Sequence, residues 1–236
     1  MTGTIINVVA IIAGTIIGIL FGTKFNVQLR KTLQSIMGLF TLMLGISMFL
    51  KTQDSIVCLI GLVVGILIGE LLKIEEGLEK LGGFLQLQSK KILGEERSGD
   101  KEKFISGFIT ATLLFLIGPI GILGSIQDGL SGDSQLLIIK SILDGIMSIV
   151  FASTLGIGVA FSSIPILFYQ GGISLLAEQA QRIMTEPMIT EMTAAGGVLL
   201  GAIAVSSLLE IKKIRVSSSI PALILTPFLV WLLAKF

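Results

Sequence analysis

The chain has 236 residues, 53% of them hydrophobic and 14% charged, with a mean hydropathy of +0.95. This excludes an ordinary soluble domain, and mostly apolar runs long enough to cross about 30 Å of hydrocarbon recur along most of the chain. A net charge of +1 gives no footprint for nucleic acid, the single cysteine rules out an intramolecular disulfide, and the lack of histidine removes imidazole metal sites and histidine relays.

The apolar runs lack period-two alternation, so they read as helices, and the expected fold is an all-α integral membrane protein of about eight transmembrane helices. The first predicted span, Thr4 to Gly22, lies in an N-terminus with no basic region or clear cleavage site and is read as retained. Asn7 is an amide among its isoleucines and valines, serving as interhelical glue or as a ligand. Spans from Thr32 to Leu50 and Ser55 to Leu72 follow; Gly61, Gly65 and Gly69, four apart, mark a helix contact, and Glu70 falls at the headgroups. In 74–93 the apolar Ile74, Leu78, Leu81, Leu85 and Ile92 recur near helical spacing, which predicts an amphipathic surface helix kinked at Gly82-Gly83. Glu95 to Lys103 reads as a solvated linker. It separates an N-terminal three-helix unit (1–73) and the surface segment (74–103) from a C-terminal five-helix unit (104–236).

The fourth span, Phe104 to Ile126, contains Pro119, which has no N–H for the carbonyl of Phe115, and Gly118, Gly121 and Gly124. A kinked or broken helix is expected, with a free carbonyl at depth. Asp128, just beyond its end, is a turn, a cap or a ligand. The fifth span, Leu136 to Val159, carries Lys140 and Asp144 four apart on one helical face, with Asp144 roughly 12 Å inward from Leu136. The pair is either pinned at the headgroups or part of a polar site in the bundle. In the sixth span, Ser163 to Ala180, Pro165 frees the carbonyl of Phe161. The run Tyr169-Gln170-Gly171-Gly172 then suggests an unwound stretch or an interhelical hydrogen bond at a tight crossing. Glu191 opens the seventh span, Met188 to Leu209, near its surface, with Gly196, Gly197 and Gly201 on a packing face; the eighth span is Ser217 to Ala234.

All but four of the 17 basic residues, namely Lys51, Lys140, Arg182 and Lys235, fall on one side of eight alternating crossings. The positive-inside rule puts that side in the cytoplasm and both termini outside. Merging spans five and six would move Lys212 to Arg215 to the wrong side. GTIIGILFG (14–22) and GPIGILGS (118–125) are similar, and the topology permits a three-plus-three inverted repeat. No metalloprotease, Walker or dinucleotide motif occurs. Asp128 and Asp144 each precede a glycine, but neither lies in a G-x-G-D string, so no enzyme is expected.

The strings GTIINVVAIIAGTIIG, GILIGELLKIEEGLEKLG, FITATLLFLIGPIGILGSIQDGL, KSILDGIMSIVFASTLGIGVAFSSIPILFYQGGI and TEMTAAGGVLL cover most of the chain. Through them it resembles the bacterial multi-pass membrane proteins of the YqgA/YdfK-like family, a domain of unknown function. The resemblance implies an integral plasma-membrane protein, often described as a transporter, with no substrate and no residue roles attached.

The leading reading is a small secondary transporter or permease for an ion or small solute. Asp144 is its coupling carboxylate for a proton or sodium, and Lys140 is the competing cation. Asn7, Gln170, the Phe115 carbonyl freed by Pro119 and the backbone at Gly171 complete a polar cavity, with Asp128 and Glu191 as further candidates. A passive channel, with a homo-oligomer around its pore, is the related alternative. A non-transporting scaffold or regulator that uses its glycine faces for partners is the distinct one. The expected partners are the lipid bilayer and a small solute or monovalent cation. No cofactor is implied and no metal is assigned.

Overall fold

A computed structural model of the chain describes residues 1–22, 26–94 and 100–234, and all regular structure in them is helical. Lys24, Glu95 to Gly99 of the expected linker, and Lys235 lie outside the described residues. Six helical segments are each long and apolar enough to cross a membrane. Two further pairs, bent by 59° and 65°, bring the number of spans to as many as eight.

The residues form two units that interleave along the chain: 1–36, 79–116 and 120–180 in one, 37–78, 117–119 and 181–236 in the other. In the first unit the most extensive helix pair is α1 (Thr2–Gly22) with α7 (Gln135–Leu155). The buried face of α1 is small and polar, comprising Gly3, Thr4, Asn7, Gly14, Thr15, Gly18 and Gly22 around Ile11. Ile5, Val9, Ile16 and Leu20 face outward. Inside-out patterning of this kind is what a lipid solvent selects, because bulky apolar side chains gain nothing by leaving hydrocarbon while small ones let backbones meet. The protein is a multi-pass membrane protein.

Gly3 faces Leu137, Gly14 the Gly145 carbonyl, Gly18 the Ile149 carbonyl and Gly22 Ser153, so α1 and α7 run parallel. Three crossings between them satisfy that direction. α5 (Lys101–Leu116) starts against Gly158 at the Gly22 end of the pair, and α6 (Pro119–Ser131) finishes with Asp128 beside Gly3. The two helices, bent by 65° at Gly118 with φ +133, are therefore one broken span rather than a loop that returns to its own side. Of the two similar glycine strings, GTIIGILFG lies within unbroken α1 and GPIGILGS opens α6.

Several local expectations change. The linker is shorter than predicted, since Lys101, Glu102 and Lys103 open α5. The helix expected at the surface, α4 (Ile74–Leu93), continues through Gly82-Gly83, where Gly82 admits Ile105 and Phe108 in place of a kink. It buries Gly82, Gln86 and Ser89 and turns Leu81, Phe84, Leu87 and Ile92 outward. The fifth span ends early: α7 stops at Leu155, Gly156 takes φ +81, and a single turn, α8 (Gly158–Phe161), leads into α9 (Ser163–Leu175). Pro165 occupies the first turn of α9, where no intrahelical N–H is required of it, so it starts a helix instead of interrupting one. Gln170, Gly171 and Gly172 are helical, which removes the unwound stretch and leaves the interhelical hydrogen bond. A short helix, α10 (Ala177–Ile183), follows.

The second unit contains most of α2 (Val27–Phe49), α3 (Ser55–Leu71), α11 (Glu186–Ile203) with a π-helical turn over Ala204–Leu208, and α12 (Ala222–Leu233) after a 3₁₀ turn at Val216–Ser219. Gly61, Gly65 and Gly69 of α3 meet Thr226, Ala222 and Ser218 in antiparallel order. Gly45 of α2 meets Gly197 of α11. Glu70 is half-exposed and pairs with Arg215 at 2.6 Å.

A Cβ on Gly65 would stand 2.6 Å from the Ala222 Cα, while one on Gly77 meets nothing within 4 Å. Gly65→Val should therefore lower stability by about 1–3 kcal/mol or more, and Gly77→Ala should raise it by about 0.5–1 kcal/mol. Thermal unfolding in detergent reads both, and equal responses would contradict this packing.

Candidate functional site

Three helices of the first unit place polar side chains together. Lys140 and Asp144, one turn apart on α7, form a salt bridge through Lys140 Nζ and Asp144 Oδ2, with the two residues 6% and 7% exposed. The pair is interior, not pinned at an exposed helix end. Asn7 of α1 donates Nδ2 to Asp144 Oδ2 at 3.0 Å and to Gln170 Oε1 of α9 at 3.2 Å. Asn7 and Gln170 are both fully buried.

A carboxylate only accepts, so ionised Asp144 dictates that Asn7 presents its nitrogen, and Asn7 in turn dictates that Gln170 presents its oxygen. The charge thereby leaves two buried groups without a hydrogen-bond partner among the described residues: the acceptor Asn7 Oδ1 and the donor Gln170 Nε2. Buried amide atoms are normally paired, so these two are exceptions at the end of the chain of bonds.

The break between α5 and α6 lies against the same group. Lys140 Nζ is 5.9 Å from the centroid of the fully buried Phe115 ring. A Cβ built on Gly121, in the first turn of α6, would lie 3.3 Å from Lys140 Cε and 3.8 Å from Gln170 Nε2. Gly118 and Pro119 stop α5 and start α6, with Pro119 at the first helical position. The Phe115 carbonyl thus has no Pro119 N–H to accept from, and the N–H groups of Ile120 and Gly121, in the first turn of α6, have no i−4 acceptor within their own helix.

The other candidates are placed differently. Gly171 keeps its backbone in the helix; its missing side chain admits Met1, whose Cε would stand 3.0 Å from a Cβ there. Asp128 Oδ2 accepts from the Gly3 N–H at 3.2 Å and pairs with the Met1 ammonium at 3.0 Å, so it caps the start of α1 from another helix. Glu191, in the second unit, is 2% exposed and has its oxygens engaged: Oε2 accepts from Thr52 Oγ1 at 2.6 Å, and Oε1 from the Gln53 and Asp54 N–H groups at 2.6 and 3.0 Å. It is a latch on the turn between α2 and α3. Sequence reasoning passed over Ser148, one turn beyond Asp144, and Thr4, one turn before Asn7, both buried hydroxyls without a hydrogen-bond partner among the described residues. Their spacing from the two named residues was the available signal.

The family described as Protein of unknown function (DUF554) matches residues 2–231. The chain is 33% identical over 240 residues to the uncharacterized membrane protein YdfK of Bacillus subtilis (strain 168), covering all of this chain and 98% of that one. It is 30% identical over 223 residues to the uncharacterized protein YqgA of Escherichia coli (strain K12), covering 94% and 93%. No solved structure matches it.

Lys140→Met alone strands a buried carboxylate and should cost about 3–5 kcal/mol, whereas Lys140→Met with Asp144→Asn should recover most of that loss. A double-mutant cycle by thermal unfolding measures it. Additive losses would mean that the two groups do not interact.

Proposed function

The chain belongs to the family of unknown function DUF554, and we propose that it is a bacterial plasma-membrane secondary transporter or permease for an ion or small solute, with Asp144 as its coupling carboxylate. The observation that carries the reading is the buried Lys140–Asp144 pair, tied to Asn7 and Gln170 and set against a broken membrane-spanning helix. Charges in a bundle interior are costly to hold there and are tolerated where a charge must be exchanged. A proton or sodium ion on Asp144 competes directly with Lys140. Its arrival releases the ammonium, and its departure restores the pair, so occupancy by the coupling ion is converted into a change of local field without moving a helix. Asn7 and Gln170 spread the change across α1, α7 and α9.

The positive-inside rule, applied to the basic residues in 73–103 and 212–215, supports a cytoplasmic location for those ends of the helices and an outside location for the Met1 end of α1. The parallel run of α1 and α7 and the antiparallel run of α3 and α12 agree with eight alternating crossings. A scaffold reading has less support, because the glycine face of α3 that would recruit a partner is already filled by α12.

Two measurements test this. In thermal unfolding across pH, sodium and potassium, the wild type should show a saturable shift that Asp144→Asn lacks. In proteoliposomes carrying an internal pH or sodium indicator, solutes that shift the wild type should drive ion uptake, and Asp144→Asn should not respond. A mutant that couples normally would remove Asp144 from the mechanism. For orientation, a cysteine placed at Lys51 should react with an impermeant maleimide in intact cells and one at Lys90 only after permeabilisation; the reverse pattern would invert the topology.

A further inference from the structure

The coupling reading leaves the solute unassigned, and the break at Gly118 supplies chemistry for it. Gly121, in the first turn of α6, is buried against Lys140 and Gln170, so first-turn N–H groups that have no intrahelical acceptor and the positive end of the helix dipole lie beside those two side chains. Three independent features converge there. Gln170 Nε2 is a fully buried donor without a partner, 3.8 Å from the position a Cβ on Gly121 would take. Lys140 brings an ammonium whose Cε is 3.3 Å from that position. Gly121 itself leaves the first turn bare.

We propose that the N-terminus of α6 is an anion site. A small monovalent anion is held by the Ile120 and Gly121 N–H groups, Gln170 Nε2 and Lys140 Nζ, and it enters together with the proton that neutralises Asp144. This rests on the transporter reading for its coupling step. The charges balance: the unloaded site holds one ammonium and one carboxylate, and the loaded site holds the ammonium, the anion and a neutral acid. A proton on Asp144 Oδ1 leaves Oδ2 accepting from Asn7, so Asn7 still orients Gln170 with its nitrogen toward α6. A divalent anion would bring a charge with no counterpart, since among the described residues no second cation is placed at the site.

The titratable groups on the surrounding helices do not compete. On α1 the Met1 ammonium is taken by Asp128, which lies on α6 about 10 Å beyond Gly121. On α5 Lys101, Glu102 and Lys103 are exposed at the opposite end, α8 has none, and α9 contributes Tyr169.

Acetate and chloride, each titrated into the detergent-purified protein at constant ionic strength held with gluconate, test the site by thermal unfolding. The wild type should show a saturable rise whose apparent affinity falls as pH rises, by up to about tenfold per pH unit for one co-bound proton. Asp144→Asn, with Lys140 permanently released, should bind at least as tightly with no pH dependence. Gln170→Leu should weaken binding at least about tenfold. The charge-free pair Lys140→Met/Asp144→Asn should fold and not respond. A response to acetate alone identifies a carboxylate; responses to both anions identify a site that reads charge. No anion response in either the wild type or Asp144→Asn, or an undiminished response in the charge-free pair, overturns the proposal. Anion binding without ion flux in proteoliposomes would sink the transport reading and leave the site standing. Coupled flux with no anion response would do the opposite.

Discussion

Two peptide backbones can lie against one another only where neither carries a side chain in the way, and the first unit depends on that constraint. Gly14, Gly18 and Gly22 bring α1 onto the backbone of α7 from Gly145 to Ser153. At this spacing the short side chain of Asn7 reaches Asp144 directly. A wider separation would strand the carboxylate with Lys140 alone and leave Gln170 without the neighbour that orients it. The packing itself is dispersion between close surfaces, since hydrocarbon offers no hydrophobic drive to bring helices together. The polar site is thus held by a seam in which bare glycines lie against the backbone of α7.

The helical fold and most of the spans could be read from the sequence, because apolar length and the placement of basic residues are properties of single segments. Lys140, Asp144, Asn7, Gln170 and the Pro119 break could also be named individually, since each is expensive at depth. What the sequence could not supply was who faces whom. Asp128 and Glu191 look like ligands in isolation, and only the fold shows them capping α1 and latching the turn before α3. The Gln170-Gly171-Gly172 run illustrates the opposite error. Glycines weaken a helix in water, but in a bundle they are as readily there to admit a neighbour, and Met1 is that neighbour.

A broken span gives one sequence two opposed electrical ends in the same place. Carbonyls at the close of α5 and amides at the start of α6 lie on either side of Gly118; Gln170 Nε2 and Lys140 Cε stand by Gly121 on the amide side, and Lys140 Nζ lies near the Phe115 ring of α5. Lys140 is also the salt-bridge partner of Asp144, so one side chain of α7 stands between the carboxylate and the first turn of α6.

The separation of partners along the chain bears on how the protein is made. Asn7 waits for Asp144, which is 137 residues later, and the backbone at Gln53 waits for Glu191, which is 138 residues later. With a mean hydropathy of 2.5 and no charged side chain, α1 enters the bilayer readily on its own, but it does so with Thr4, Asn7 and Thr15 turned toward lipid. Its polar stripe is unmatched until α7 leaves the ribosome more than a hundred residues afterwards. The site therefore cannot assemble before α9, which carries Gln170, has been made.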